Sequence, residues 1–278
     1  MGLLIGIIFT NPFPNQSRVI TKYLLQISIV GLGFGMNFEQ VLEAGKDGFV
    51  FTLVTIALAM GLGFLLGRWL KVDDIIAYLI SCGTAVCGGS AIAAVSQVLK
   101  AENKDISVSI GTVFILNAVA LFIFPVIGHY FNLSQQQFGL WAAIAIHDTS
   151  SVVGASAKYG NEALAIATTV KLARALWIIP LVVLTSVLFN NKGSAWALPW
   201  FIVFFIAASI VNTYINIPVR ISSQIFILAK LGFSITLFLI GCGISLDSLK
   251  KVGVRPFLQG VLLWIIILSS SLFFILHS

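Results

Sequence analysis

Residues 76–99 read IAYLISCGTAVCGGSAIAAVSQVL, and the reading of that stretch decides the architecture. It is apolar and long enough to cross a bilayer, which takes about 20 residues as a helix. Its middle nevertheless holds Gly83, Gly88 and Gly89 together with Ser81, Thr84 and Ser90. Glycines and hydroxyls weaken a helix, and lipid offers freed backbone groups no partner, so a break survives only where protein or a wet cavity surrounds it. The stretch is read as a discontinuous helix whose second half starts after Gly88-Gly89. That start would aim unpaired N–H groups and a positive dipole end at a ligand. A continuous helix that uses its small residues for tight packing is the competing reading.

The rest of the chain supplies the setting. It is 59% hydrophobic and 9% charged, against the roughly one quarter charged of a soluble domain. Long apolar segments fall at 23–44, 48–70, 75–99, 106–131, 138–157, 163–189, 197–215, 224–246 and 254–277. These runs are continuously apolar rather than alternating, which excludes a β-barrel. The expectation is an all-α polytopic membrane protein, one transmembrane domain over residues 1–278, with about nine or ten spanning helices. The opening MGLLIGIIFT is too short to span and is ended by Asn11-Pro12-Phe13-Pro14-Asn15, so Met1 is read as lying inside or just before a helix. No basic region precedes it and no small-residue cleavage site follows, which argues against a cleaved signal peptide. Cys82, Cys87 and Cys242 lie within predicted spans and are read as small apolar packers.

The formal charge is +6, but Lys and Arg are scattered over short loops and form no nucleic-acid patch. Loop by loop, one face collects Lys46, Lys100, Lys104, Lys158 and Arg220. The other collects Arg18, Lys22, Arg68, Lys71, Lys192, Lys250, Lys251 and Arg255, which makes it cytoplasmic and leaves the C-terminus outside.

Shifting the sequence by 208 residues lays 22–49 over 230–257 without a gap. Lys22, Ile27, Gly33, Gly35, Gly45 and Phe49 then meet Lys230, Ile235, Gly241, Gly243, Gly253 and Phe257. An odd number of segments separates the copies, so they would run in opposite directions. Inverted repeats of this kind build alternating access in many secondary transporters, with a site near the midplane on interrupted helices.

The midplane charges are few. Residues 138–160, FGLWAAIAIHDTSSVVGASAKYG, place His147 and Asp148 in the middle of an apolar segment, followed by Thr149, Ser150 and Ser151. An ionised group there costs roughly 2.5–3.5 kcal/mol on insertion scales. Lys171 and Arg174 are equally deep in their own segment, three residues apart and so on one helix face. The arrangement expected from charge alone sets that face against Asp148. With His147 neutral, two cations and one carboxylate sum to +1, which leaves room for an anion. Asn117 and Asn212 are read as interhelical hydrogen-bonding groups, and His129 and His277 as interfacial.

No metal site is expected, because an HD-type hydrolase needs further ligands and the other two histidines are distant. Ser150 or Cys87 with His147 as base is the hydrolase alternative, without a nucleophile-elbow pattern to support it. The chain is accordingly expected not to be an enzyme and to carry no cofactor.

CGTAVCGGSAIAAV, QFGLWAAIAIHDTSSVVGA and ALAIATTVKLARALWIIPLV together resemble the sulfate exporter family of bacterial inner-membrane proteins, the YeiH-like group, over nearly the whole chain. The resemblance implies a secondary transporter distantly related to the bile acid and sodium symporter type of fold. It also implies a further hydrophobic segment ahead of the position that matches Met1. The function expected is alternating-access transport of a small oxyanion such as sulfate, sulfite or a sulfonate, with export the favoured direction. Arg174 would offer the anion a planar fork and Lys171 a point charge, while Thr84, Cys87, Gly88, Gly89, Ser90 and the hydroxyls of Thr149, Ser150 and Ser151 line the shell. His147 and Asp148 would carry a coupling proton. A cation/proton antiporter, with Na+ or H+ bound at Asp148, is the alternative. Partners are then the anion, the lipid bilayer and a coupling H+ or Na+, with homodimerisation left open.

Overall fold

A computed structural model describes residues 14–35, 38–175, 177–189, 200–215, 217–243 and 253–277. The described residues form helices α1 (Pro14–Gly33), α2 (Phe38–Trp69), α3 (Asp74–Ala85), α4 (Gly89–Leu99), α5 (Asn103–Tyr130), α6 (Gln135–Ala145), α7 (Thr149–Tyr159), α8 (Asn161–Ala175), α9 (Ile178–Leu188), α10 (Trp200–Tyr214), α11 (Val219–Gly243) and α12 (Val254–His277). No strand occurs among them, as the continuous apolar runs require. The chain divides into two compact units, Met1–Lys46 with Ala197–Asp247 and Asp47–Trp196 with Ser248–Ser278.

The first unit is built on α1, α10 and α11. Small residues let backbones approach closely: a Cβ on Gly31 would stand 2.9 Å from Ala229 Cβ, and one on Gly33 would stand 2.6 Å from the Phe205 carbonyl oxygen. Gly31 meets Ala229 while Gly232 meets Ser28 and Leu24, so α1 and α11 run antiparallel. These helices carry the first halves of the two aligned segments, 22–49 and 230–257. Residues 244–252 of the second copy, like 1–13, lie outside the described residues. Asn212 accepts from Ser222 Oγ at 2.8 Å, a bond between α10 and α11.

The second unit departs from the sequence expectation. Among the described residues four helices are long and apolar enough to cross a membrane, Thr52–Trp69, Lys104–Tyr130, Asn161–Leu188 and Val254–His277, and all lie here. The segments 75–99 and 138–157 do not cross. Each is a helical hairpin that enters, breaks and returns to the side it came from. In hairpin 1 (α3 and α4), a Cβ on Gly83 would lie 2.9 Å from Ile92 Cδ1, a contact across the break that a straight helix would hold well over 10 Å apart. Val108, near the start of α5, packs against the cluster of Val72, Ile76, Ala77 and Ile80 in and just before α3, so α4 has brought the chain back. In hairpin 2 (α6 and α7), Tyr159 at the far end stacks on Phe138 at 3.8 Å between centroids and donates to Leu133 O at 2.6 Å. The arms hold 12 and 11 residues in hairpin 1 and 11 each in hairpin 2. At about 1.5 Å per residue they reach the middle of a roughly 30 Å hydrocarbon core.

Since α5 crosses between the hairpins, they enter from opposite sides and meet tip to tip. Each hairpin is followed by a long helical segment (α5 for the first, α8–α9 for the second), so the two parts share an element order. An offset of 60 residues aligns Ala85, Ser90 and Ser96 with Ala145, Ser150 and Ser156, too few identities to show in a sliding comparison. Helix α12 lies across both hairpins. Gln259 Nε2 donates to Gly63 O at 3.0 Å and Ala77 O at 3.1 Å beside hairpin 1, and Trp264 Nε1 donates to Ala145 O at 2.8 Å at the tip of hairpin 2. Further along, Trp141 Nε1 and Gln137 Nε2 donate to Leu268 O and Ile275 O.

Candidate functional site

The hairpin tips are Val86-Cys87-Gly88 and Ile146-His147-Asp148. Hairpin 1 turns through Gly88, whose φ of +65° suits only glycine without strain. A Cβ there would also stand 3.4 Å from the carbonyl carbon and oxygen of His147 and 3.3 Å from Val113 Cγ1. The two tips therefore touch, at the middle of α5.

Helix ends buried at this depth leave carbonyls and N–H groups that need partners. The carbonyl ends are met by the two deep cations of α8. Arg174 Nε donates to Ala85 O at 2.9 Å, the last residue of α3, and its Nη1 donates to Thr55 Oγ1 at 3.0 Å. Lys171 Nζ donates to Ala143 O at 3.2 Å and Ile146 O at 2.7 Å, at the end of α6. One helix thus grips both hairpins through residues three apart. Neither forms an ion pair with Asp148 among the described residues, where the salt bridge found is Lys104–Asp105, although Lys171 lies within electrostatic reach of that carboxylate; their hydrogen bonds go to the helix-end carbonyls instead. The physical reason is the partial negative charge that each interrupted helix gathers at its C-terminal end.

The N-terminal ends differ. Asp148 caps α7: its Oδ2 accepts from Ser150 N at 3.1 Å and from Ser150 Oγ. Its own N–H donates to Asn117 Oδ1 at 3.1 Å. The start of α4 has no acidic residue in its first turn, and no side chain among the described residues caps Gly89 or Ser90 N–H. The two carbonyl ends and two N–H ends each count for about half a charge and cancel. Lys171 and Arg174 against Asp148 leave the junction at +1 with His147 neutral.

Several polar atoms of the junction are buried without a partner among the described residues: Thr84 Oγ1, Asn117 Nδ2, both ring nitrogens of His147 and Arg174 Nη2. The expected residues Thr84, Cys87, Gly88, Thr149, Ser150, Ser151, His147, Lys171 and Arg174 are buried around the tips, and Asp148 and Gly89 are half-buried. Cys87 is within electrostatic reach of Lys171, Asp148 and Arg174. Ser90 is the outlier, exposed on α4. Cys82 and Cys87 are free and buried, as packers should be, while the side chain of Cys242 lies outside the described residues. Asn117, read from sequence as interhelical, belongs to the junction, and Thr55 and Trp264 were not singled out at all. A lone Thr or Trp in an apolar helix carries no signal of what it will touch, and backbone carbonyls such as Ala85 O carry none whatever.

The sequence matches, over residues 1–260, the family described as Conserved hypothetical protein 698. The chain belongs to that family. It is 52% identical over 278 residues to a UPF0324 membrane protein of Bacteroides thetaiotaomicron, covering 99% of this chain and 84% of that one. A UPF0324 membrane protein of Porphyromonas gingivalis is 51% identical over 281 residues, covering 99% and 85%. One of Geobacter sulfurreducens is 43% identical over 272 residues, covering 98% and 87%. No solved structure matches. The relatives' names agree with the helical architecture in making this a multi-pass membrane protein, and they name no substrate.

Proposed function

We propose that the protein is a secondary carrier, not an enzyme, which binds a small oxyanion where the hairpin tips meet and exposes it alternately to the two sides. The observation that carries this reading is Arg174: wholly buried, it spends Nε and Nη1 on Ala85 O and Thr55 Oγ1 and keeps Nη2 without a partner among the described residues. A buried charged donor left unpaired is costly unless a ligand supplies the acceptor. The net +1 of the junction and the uncapped start of α4 favour the same ligand sign. Hairpins meeting at midplane supply a break in the backbone on either side, as alternating access requires. Sulfate, sulfite and sulfonates are the candidates that the resemblance adds.

Orientation follows from the hairpins. Because hairpin 1 returns to its side of entry, Lys100 and Lys104 join Arg68, Lys71 and Arg255 there, against Lys158 on the other side of this unit among the described residues. That bias favours a cytoplasmic base of hairpin 1 and an outside end of α12. Asp148 Oδ1, half-buried and engaged in no hydrogen bond among the described residues, favours the antiporter alternative. Thermal unfolding of detergent-purified protein against sulfite, sulfate, phosphate, methanesulfonate and Na+ separates the two. Stabilisation by an anion, lost in Arg174→Gln, is expected; stabilisation by Na+ with no response to any anion would sink the carrier reading proposed above.

A further inference from the structure

The unpartnered atoms at the hairpin junction are not all donors, and that mixture describes the ligand. Arg174 Nη2 can only donate. Asn117 Nδ2 also donates, and its orientation is fixed because Oδ1 is used by Asp148 N–H. Asp148 as a carboxylate can only accept, and its Oδ1 has no donor among the described residues, since Ser150 N and Oγ both go to Oδ2. Neutral His147 presents one N–H and one lone pair whichever tautomer it adopts, and both nitrogens are buried and unpartnered. These groups belong to one junction: Asn117 is bonded to Asp148, the His147 backbone abuts Gly88, and Arg174 holds the end of α3 three residues before Gly88.

A fully deprotonated oxyanion has only acceptors. It would satisfy Arg174 and Asn117 but set its lone pairs against those of Asp148 and His147. An oxyanion that keeps one O–H satisfies both kinds of group. Resting on the oxyanion reading above, we infer that the site selects a small oxyanion carrying a proton, of the class of hydrogen phosphate, hydrogen sulfite or hydrogen carbonate, and discriminates against sulfate. The proton then travels on the substrate, and Asp148 is the residue that reads it.

Sulfate and hydrogen phosphate test this without any mutation, being dianions of the same tetrahedral shape that differ by one O–H. Calorimetric titration of the purified full chain in mildly alkaline buffer should show inorganic phosphate binding about 100-fold or more tighter than sulfate, since a site built around a substrate hydroxyl rejects the analogue lacking it. Monofluorophosphate, in which fluorine replaces the hydroxyl, should bind as weakly as sulfate. In Asp148→Asn, which keeps the cap on α7 and turns the acceptor into a donor, the preference should collapse or invert. Sulfate or monofluorophosphate binding as tightly as phosphate overturns this inference and leaves the oxyanion carrier standing. Absence of phosphate binding overturns this inference, and absence of binding by sulfite and methanesulfonate as well overturns the carrier reading with it.

Discussion

The two hairpins share a backbone plan and differ in chemistry. Hairpin 1 turns on glycine and offers backbone: Val86 N–H closes on Cys82 O, Gly88 N–H on Gly83 O, and the start of α4 is left uncapped. Hairpin 2 turns on His147 and Asp148, and the carboxylate caps its own return arm. Their anchoring differs as well. Hairpin 2 is fixed at its base by the Ser134–Gln137 capping box, by Gln135 Oε1 accepting from Glu162 N and Ala163 N, and by Tyr159 on Leu133. Hairpin 1 is tied through Gln259 and through the Tyr78–Thr185 hydroxyl pair at 2.8 Å. Of two arms with the same backbone plan, one thus presents N–H groups and the other ionisable side chains. The cations of α8 follow the division, Arg174 serving hairpin 1 and Lys171 serving hairpin 2.

Breaking the Arg174 side of that division should have the largest effect. Arg174→Gln removes the donor left over for a ligand, and anion affinity should fall about 100-fold or more, because truncating a buried charged partner costs roughly 2–5 kcal/mol. Titration calorimetry reads it, and unchanged affinity would break the assignment of hairpin 1 as the anion-binding arm. Gly88→Leu comes next: a left-handed residue with a Cβ costs about 1–2 kcal/mol, and this one also presses on the His147 carbonyl. Both a lower unfolding temperature and loss of anion binding are expected, where a helix-packing glycine would give the first alone.

Lys171→Met should separate stability from binding. It leaves Ala143 O and Ile146 O without their donor, at about 1–3 kcal/mol for an unsatisfied buried group. Thermal unfolding should therefore fall clearly while affinity weakens by about tenfold or less, the reverse of Arg174→Gln. A smaller effect belongs to the cap: Asp148→Ala should lower stability by about 1 kcal/mol and Asp148→Asn by much less, since Asn also caps. Equal losses in the two would mean that the carboxylate charge, and not the cap, holds α7. The smallest change tests the base of hairpin 2. Tyr159→Phe loses one hydrogen bond to Leu133 O, worth about 1 kcal/mol, and should leave anion affinity untouched.

The membrane class, the all-helical fold, the break near Gly88 and the deep polar residues His147, Asp148, Lys171 and Arg174 were legible in sequence, because each depends on composition or on local backbone chemistry. Apolar runs of this length have no soluble alternative, and buried cations three residues apart must share a helix face. What sequence could not decide is the direction of the chain after each break. A run of 24 apolar residues with a weak centre has the same composition whether it continues across the bilayer or folds back as two half-length arms. Only contacts between the two arms, Gly83 with Ile92 and Phe138 with Tyr159, distinguish the two. The partners of Lys171 and Arg174 were hidden for a related reason. Charge arithmetic sends a cation to the nearest carboxylate, but folding back created buried helix ends whose carbonyls compete for it, and a backbone carbonyl has no letter in the sequence.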